Sequence, residues 1–382
     1  MMEKKTARLA RPVRYIGTDV PEERPEEGIA LCLSGGGYRA MLFHMGALWR
    51  LHEAGILKEL ERISSVSGGS ITAAVAALQW EHIQDPGDRE AFRQRVAEPI
   101  LALAGRTIDI PAVLRSLLPP WSSSRALAAS YRRHLLDRTT LQDLPDHPVF
   151  VINSTNMQSG ALWRFMKRAM RDWKVGEIRN PMLELATAVA ASSAFPPVLS
   201  PMVLRFHSSM YSPDYGAVDR STELRERVIL TDAGVYDNLG LETAWKRYRT
   251  ILASDAGAPF KAVSSVCRNW LAQSWRTLFL IDNQVRTLRK RQLIQSFVEG
   301  TRQGTYWGVG SHVEDYGLED HLEFSRKRAA ELARIPTRLK SLSPSIRASL
   351  VNWGYIICDT ALRRHLRPEL PRPQRLPMDP RG

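Results

Sequence analysis

The stretch IALCLSGGGYRAMLFHMGALWRLHEAGILKELERISSVSGGSI, residues 29–71, decides the reading of the chain. Ile29 to Leu33 is a short apolar run closed by Ser34-Gly35-Gly36-Gly37, the pattern of a buried strand. Met41 to Leu51 then places Leu42, Met45, Leu48 and Trp49 at helical spacing, with Gly55 as a stop. Ile63 to Val66 reads as the next strand and Ile71 to Leu78 as the next helix, with Ser67-Gly68-Gly69-Ser70 between them. Strand, glycine loop, helix, strand, tight turn, helix is a βαβα unit. Both loops then lie at the carboxyl ends of parallel strands, the edge where such sheets carry their sites.

Each loop suggests chemistry. A serine attacks a carbonyl well when a sharp strand-to-helix turn holds its oxygen clear, and the residues two before and two after must then be small. Around Ser67 these are Ser65 and Gly69, and the helix from Gly68 would aim its N–H groups at a developing oxyanion. Ordinary helix capping explains serines at these places equally well. Gly35-Gly36-Gly37 lets successive N–H groups turn inward, which suits an oxyanion hole or a phosphate nest. Gly35-x-Gly37-x-x-Ala40 also fits a dinucleotide fingerprint, which wants an acid at the end of the next strand. That strand ends in Ser65-Val66-Ser67, with Glu59 and Glu61 at its other end. No Gly-Lys-Ser/Thr follows, so a P-loop is excluded.

A serine nucleophile needs a base. His44 and His52 fall in the first helical pattern, on or near its surface, as structural or solvated residues. Asp232 and Asp255 both close apolar strands in Asp-Ala-Gly, and local pattern does not separate them. A carboxylate acting directly on serine implies a site that raises its pKa or positions it closely.

The remaining chain frames this unit. At 382 residues and 44% hydrophobic, it holds a real core in one or two domains. The net charge of +13 favours an anionic partner, a lipid surface before nucleic acid, because aromatic and basic residues do not interleave. Cys32, Cys267 and Cys358 make neither a disulfide framework nor a zinc site. Without a secretory h-region or a long apolar run, the expectation is a cytoplasmic protein, at most peripheral on a membrane. Residues 1–27 read as a polar arm and 85–145 as a Pro-punctuated helical cap over the strand ends, with an apolar cluster Leu117-Leu118-Pro119-Pro120-Trp121. Val149–Asn153 and Leu162–Met166 read as a strand pair joined at Gly160, and Pro181–Ala194 as an Ala-rich helix starting at its proline. Residues 202–224 read as a long loop over the site, 264–298 and 325–366 as helical, and 367–382 as a disordered tail.

Together these pieces resemble the patatin-like phospholipase family. Its pattern is a Gly-Gly-Gly-x-Arg-Gly loop, a Gly-x-Ser-x-Gly elbow and a distant Asp-Gly-Gly or Asp-Gly-Ala. Here they stand as Gly35-Gly36-Gly37-Tyr38-Arg39-Ala40, Ser65-Val66-Ser67-Gly68-Gly69 and Asp232-Ala233-Gly234. Ala191-Ser192-Ser193-Ala194-Phe195-Pro196-Pro197 is similar to the family's helix end before the acid. The resemblance covers roughly residues 28–260. It implies a three-layer α/β/α sandwich with a mostly parallel central sheet and helical insertions; residues 261–366, which the resemblance does not explain, read as a helical C-terminal region packed on the core. It implies a lipid acyl hydrolase of phospholipase A type, a serine carboxylic ester hydrolase working on phospholipid or another lipid ester without cofactor or metal. Ser67 would be the nucleophile and Asp232, rather than Asp255, the base. Gly35, Gly36, Gly37 and Gly68 would form the oxyanion hole, supported by Arg39, Gly69 and Gly234. Alternatives are a patatin-fold lipid- or nucleotide-binding module without turnover, and a membrane-damaging effector regulated through its C-terminal region.

Overall fold

Strand β1, Glu26–Leu33, is buried from Ile29 onward and runs between two parallel neighbours, which explains its unbroken apolar run. The computed structural model describes residues 25–116 and 122–379; the rest of the expected N-terminal arm, the cluster Leu117–Trp121 and the last three residues lie outside the described residues. After β1 come helix α1, Gly37–Glu53, strand β2, Leu60–Ser65, and helix α2, Gly68–Leu78. The βαβα unit is therefore where the pattern places it.

Strands β3 (Val149–Asn156), β4 (Leu162–Phe165), β5 (Ala169–Asp172) and β6 (Gly176–Arg179) follow, then helix α3 (Leu185–Ser192) and strands β7 (Met202–Arg205), β8 (Arg227–Thr231) and β9 (Tyr248–Asp255). Helix α4 (Trp270–Val298), strand β10 (Gln303–Gly308) and helix α5 (Pro344–His365) complete the chain. The sheet runs β10-β9-β1-β2-β3-β4-β5-β6, and β8 pairs with both β3 and β7. The central five strands, β10 to β3, are parallel; β4 to β8 extend them antiparallel. With helices on both sides, this is the expected α/β sandwich.

Four expectations are corrected. Residues 181–183 are not helical and Glu184 is bridged to Thr140, so α3 begins at Leu185 and not at Pro181. Residues 202–224 are not one loop: they hold β7, and Tyr211 bridges to Ile178 of β6. A boundary at 260 does not separate a catalytic domain from the C-terminal region, because β10 is a sheet strand paired with β9. The tail is not disordered over 367–379: Leu370, Leu376 and Met378 pack on the core, and Asn352 exchanges two hydrogen bonds with the Met378 backbone at 2.9 and 3.0 Å.

Helix α1 is buried along nearly its whole length, so its polar residues need internal partners. Arg50 pairs with Asp359 of α5 at 2.8 Å, and Arg363 holds the other oxygen of Asp359 at 3.0 Å. The two helices touch through backbone: a Cβ on Gly46 would lie 1.9 Å from Val351 O, and one on Gly354 1.9 Å from Phe43 O. His44 and His52 are buried, not at the surface. His44 Nδ1 lies 2.8 Å from Ser254 Oγ and its Nε2 2.9 Å from Ser34 O, and burial lowers its pKa to about 4, so the ring is neutral. It braces the first loop rather than facing Ser67.

Candidate active site

The elbow follows from how β2 meets α2. Ser67 has φ 50° and ψ −119°, left-handed backbone that costs a non-glycine residue about 1–3 kcal/mol. The turn is held from outside: Val66 N–H donates to Leu33 O at 3.0 Å and Ser67 N–H to Ser192 Oγ at 2.9 Å. Small residues are required because the loops interlock. A Cβ on Gly68 would sit 2.1 Å from Gly37 O, and one on Gly69 2.6 Å from Leu33 O. Ser65, where the family pattern has glycine, is an ordinary residue of β2. Its hydroxyl donates to Val151 O at 3.2 Å and accepts from Ser70 Oγ at 3.0 Å, and Ser70 meets Ser192 Oγ at 2.9 Å. A ladder of hydroxyls thus occupies the space behind the elbow.

In the first loop Gly36 has φ 147° and Gly37 φ 59°, conformations that favour glycine. Gly35 N–H donates to Asn238 O at 3.0 Å, which removes Gly35 from the expected set of free donors. Among the described residues, the N–H groups of Gly36, Gly37 and Gly68 have no acceptor. Arg39 is buried and braces the loop from behind. Its Nε donates to Ala256 O at 2.8 Å, Nη1 to Ile335 O, and Nη2 to Thr337 Oγ1 at 3.1 Å. Ala40 and Ala233 stand where the family pattern has glycine; Ala40 is a buried residue of α1, and Ala233 has right-handed helical backbone, so neither needs one.

Asp232 leaves β8 with its N–H on Ala194 O at 2.9 Å and its carbonyl accepting from Thr155 Oγ1 at 2.9 Å. Its carboxyl accepts the Gly234 N–H at 2.7 Å, and the Ser67 hydroxyl lies close enough to favour its charged form. Burial raises its pKa to about 7, against the pull of those two donors. Nearby, Asp282 of α4 adds a like charge that pushes the same way. The other strand-end acid, Asp255, is committed elsewhere: it accepts from Tyr306 OH and Gly257 N–H, each at 2.8 Å. The two Asp-Ala-Gly segments also differ in place: β8 lies beside β3, while β9 lies on the far side of β1 from β2.

Sequence reasoning gave no role to Thr155, Asn238 or Tyr131. Asn238, in the run after Asp232, ties the base loop to the glycine loop through its carbonyl. Tyr131, fully buried at the end of the inserted helix Ser123–Tyr131, lies close enough to Asp232 for the two to interact electrostatically. Nothing local in the sequence marks Thr155. Among the described residues, no group of three or more His, Cys, Asp or Glu side chains could hold a metal ion.

Fold and site together define a serine-elbow α/β protein with an acid from a second strand beside the serine. The family model of patatin-like phospholipases matches residues 31–245, more than half of the chain, and the chain belongs to this family of lipid hydrolases. No curated protein sequence matches it. Among solved structures it is similar to human GIVD cytosolic phospholipase A2, with 15% identity, a TM-score of 0.47 and coverage of 94% of this chain and 60% of that one. The same human enzyme in complex with methyl gamma-linolenyl fluorophosphonate gives 17% identity, a TM-score of 0.50 and coverage of 93% and 59%. VipD from Legionella pneumophila gives 15% identity, a TM-score of 0.39 and coverage of 95% and 73%. This chain therefore spans about three fifths of the length of the human enzyme.

Proposed function

We propose that this protein is a serine acyl hydrolase of phospholipase A type that cleaves lipid esters through an acyl-serine. The observation that carries the reading is a serine on strained left-handed backbone beside the buried carboxyl of Asp232, which burial pushes up to about 7. Ser67 Oγ attacks the ester carbonyl while Asp232 takes its proton. The N–H groups of Gly36, Gly37 and Gly68 receive the oxyanion, supported at the start of α2 by the helix dipole. Collapse of the intermediate expels the alcohol portion, which regains the proton from Asp232. Water, deprotonated by the same carboxylate, then attacks the acyl-serine and frees the fatty acid. Histidine has no part in this scheme, in keeping with His44 and His52 being tied to backbone.

Two measurements test it. Ser67→Ala and Asp232→Asn should each reduce fatty-acid release from phospholipid, and hydrolysis of a p-nitrophenyl ester, to background. An alkyl fluorophosphonate should label wild type at Ser67. A well-folded protein that resists labelling and shows no turnover would instead be a binding module, and full activity in either variant would end the Ser–Asp assignment.

A further inference from the structure

Helix α4 joins β9 to β10 and is the most exposed long element among the described residues. Only Leu293 and Ser296 of its side chains are buried. Its inner side is pinned near the base loop: Arg289 reaches Glu242 at 3.1 Å and Asp237 at 3.7 Å, and Arg286 donates to Ala258 O at 2.6 Å. Its N-terminal half is exposed all round and carries large apolar side chains on every side. Trp270 is 70% exposed, Leu278 59% and Ile281 52%, and Leu271, Leu280 and Leu288 are exposed as well. So many large apolar side chains exposed on one element mark an interaction site rather than scattered surface residues.

Three features identify the occupant. The first is charge: residues 261–298 hold the single acid Asp282 against Lys and Arg, of which Lys261, Arg268, Arg276, Lys290 and Arg291 stand outside the inner contacts of Arg286 and Arg289. The second is shape. Leu278, Phe279, Leu280 and Ile281 are consecutive and all exposed, so the apolar surface wraps well past one stripe. A paired helix would need only a seam, whereas a lipid phase solvates every side of an inserted end. The third is position. Phe195, just before the two prolines that follow α3, packs on Trp275 and Phe279 with ring centroids 6.4 Å apart in each pair. Val198, in the segment after Phe195, and Val235, three residues after Asp232, are exposed apolar residues as well.

We infer that α4 is an interfacial docking helix that seats the Ser67 site on an anionic lipid surface. The inference rests on the reading of the site as one that acts on lipid, but its test needs no turnover. In the full chain carrying Ser67→Ala, co-sedimentation is measured with phosphatidylcholine vesicles, with and without phosphatidylglycerol. Binding should require phosphatidylglycerol. Adding Leu278→Glu and Ile281→Glu should weaken it by about tenfold or more, and Arg268→Glu and Arg291→Glu by roughly fivefold each. Brominated lipid should quench tryptophan emission in this protein, with most of the quenching lost on Trp270→Phe. This second readout leaves the other apolar residues of the helix intact and does not depend on how the glutamate variant folds.

Equal vesicle binding with and without the two glutamates, together with quenching that ignores Trp270, overturns the inference. So does a concentration-dependent dimer that Leu278→Glu abolishes while vesicles are not bound, because a second copy then covers the face. The two readings separate cleanly. Soluble-ester hydrolysis by wild type without vesicle binding removes the docking helix and keeps the hydrolase. Vesicle binding through α4 without Ser67-dependent hydrolysis does the reverse.

Discussion

Asp232 sits where two demands on one carboxyl oppose each other. Catalysis as proposed needs it ionised and close to Ser67, whereas burial favours the neutral acid and lifts its pKa to about 7. Activity should therefore rise with pH through that value, with kcat/KM falling about tenfold per pH unit on the acid side. A flat profile from pH 5 to 8 would contradict the assigned role. The effect on stability has the opposite sense. The folded carboxyl holds its proton above the pKa of the unfolded chain, so between about pH 4 and 7 the native state binds more protons and stability falls as pH rises. Asp232→Asn removes this cost, so its stability advantage over wild type should grow from pH 5 to pH 8, by a few kcal/mol at most. Melting both proteins at the two pH values measures it, and an unchanged difference would show that the carboxyl is not strained by burial. The same conflict appears in the backbone at Ser67. Ser67→Gly should be inert yet more stable by about 1–2 kcal/mol, because glycine accepts the left-handed conformation freely.

At the scale of elements, the parts legible in the sequence are those whose burial is simple. Parallel strands covered on both faces read as apolar runs, which exposes β1, β2, β3 and β9, and antiparallel β8 shows the same kind of run. Strands β5, β6 and β10 escape because they are short or interrupted: Ala169-Met-Arg-Asp172 has no alternation to find, and Gly304 breaks Gln303–Gly308. That glycine is there because a Cβ would meet Ile251 O at 2.0 Å, a reason found only in the neighbouring strand. The site divides in the same way. Ser67 and the glycine loop announce themselves locally, but the withdrawal of Gly35 by Asn238 and the acceptance of the Ser67 N–H by Ser192 are contacts between distant segments. Two substitutions probe this interlock. Gly68→Ala drives a methyl into Gly37 O and should lower kcat by about 100-fold or more through the displaced donors. Ser192→Ala leaves the buried Ser67 N–H without an acceptor and should cost about 1–3 kcal/mol of stability. A Gly68→Ala enzyme with wild-type turnover would mean that the two loops do not share the oxyanion.

For the whole molecule, the C-terminal third is structure that the catalytic elements depend on. Helix α5 covers the face of α1 turned away from the sheet, β10 extends the sheet beyond β9, and the segment 335–338 lies on the glycine loop, where Tyr38 N–H donates to Arg338 O at 3.0 Å. Arg39 fastens that segment from below and Asp109 from the side, the latter by a 2.8 Å contact with Arg338 Nε. A chain ending at residue 260 should therefore fail to fold, because α1 would lose the helix packed against it and Arg50 would lose the carboxylate of Asp359. Asp359→Ala asks the same question without truncation. Asp359 is fully buried between Arg50 and Arg363, both also buried, and only Arg363 has a second acid, the exposed Asp320, at 2.7 Å. Removing the shared carboxylate leaves Arg50 charged in a closed helix interface, a change that costs about 3–5 kcal/mol. Asp359→Ala should therefore show a lowered Tm in a single cooperative transition monitored by both far-ultraviolet dichroism and ester hydrolysis. Two transitions, with hydrolysis surviving the first, would mean that α5 detaches from a catalytic unit that stands without it.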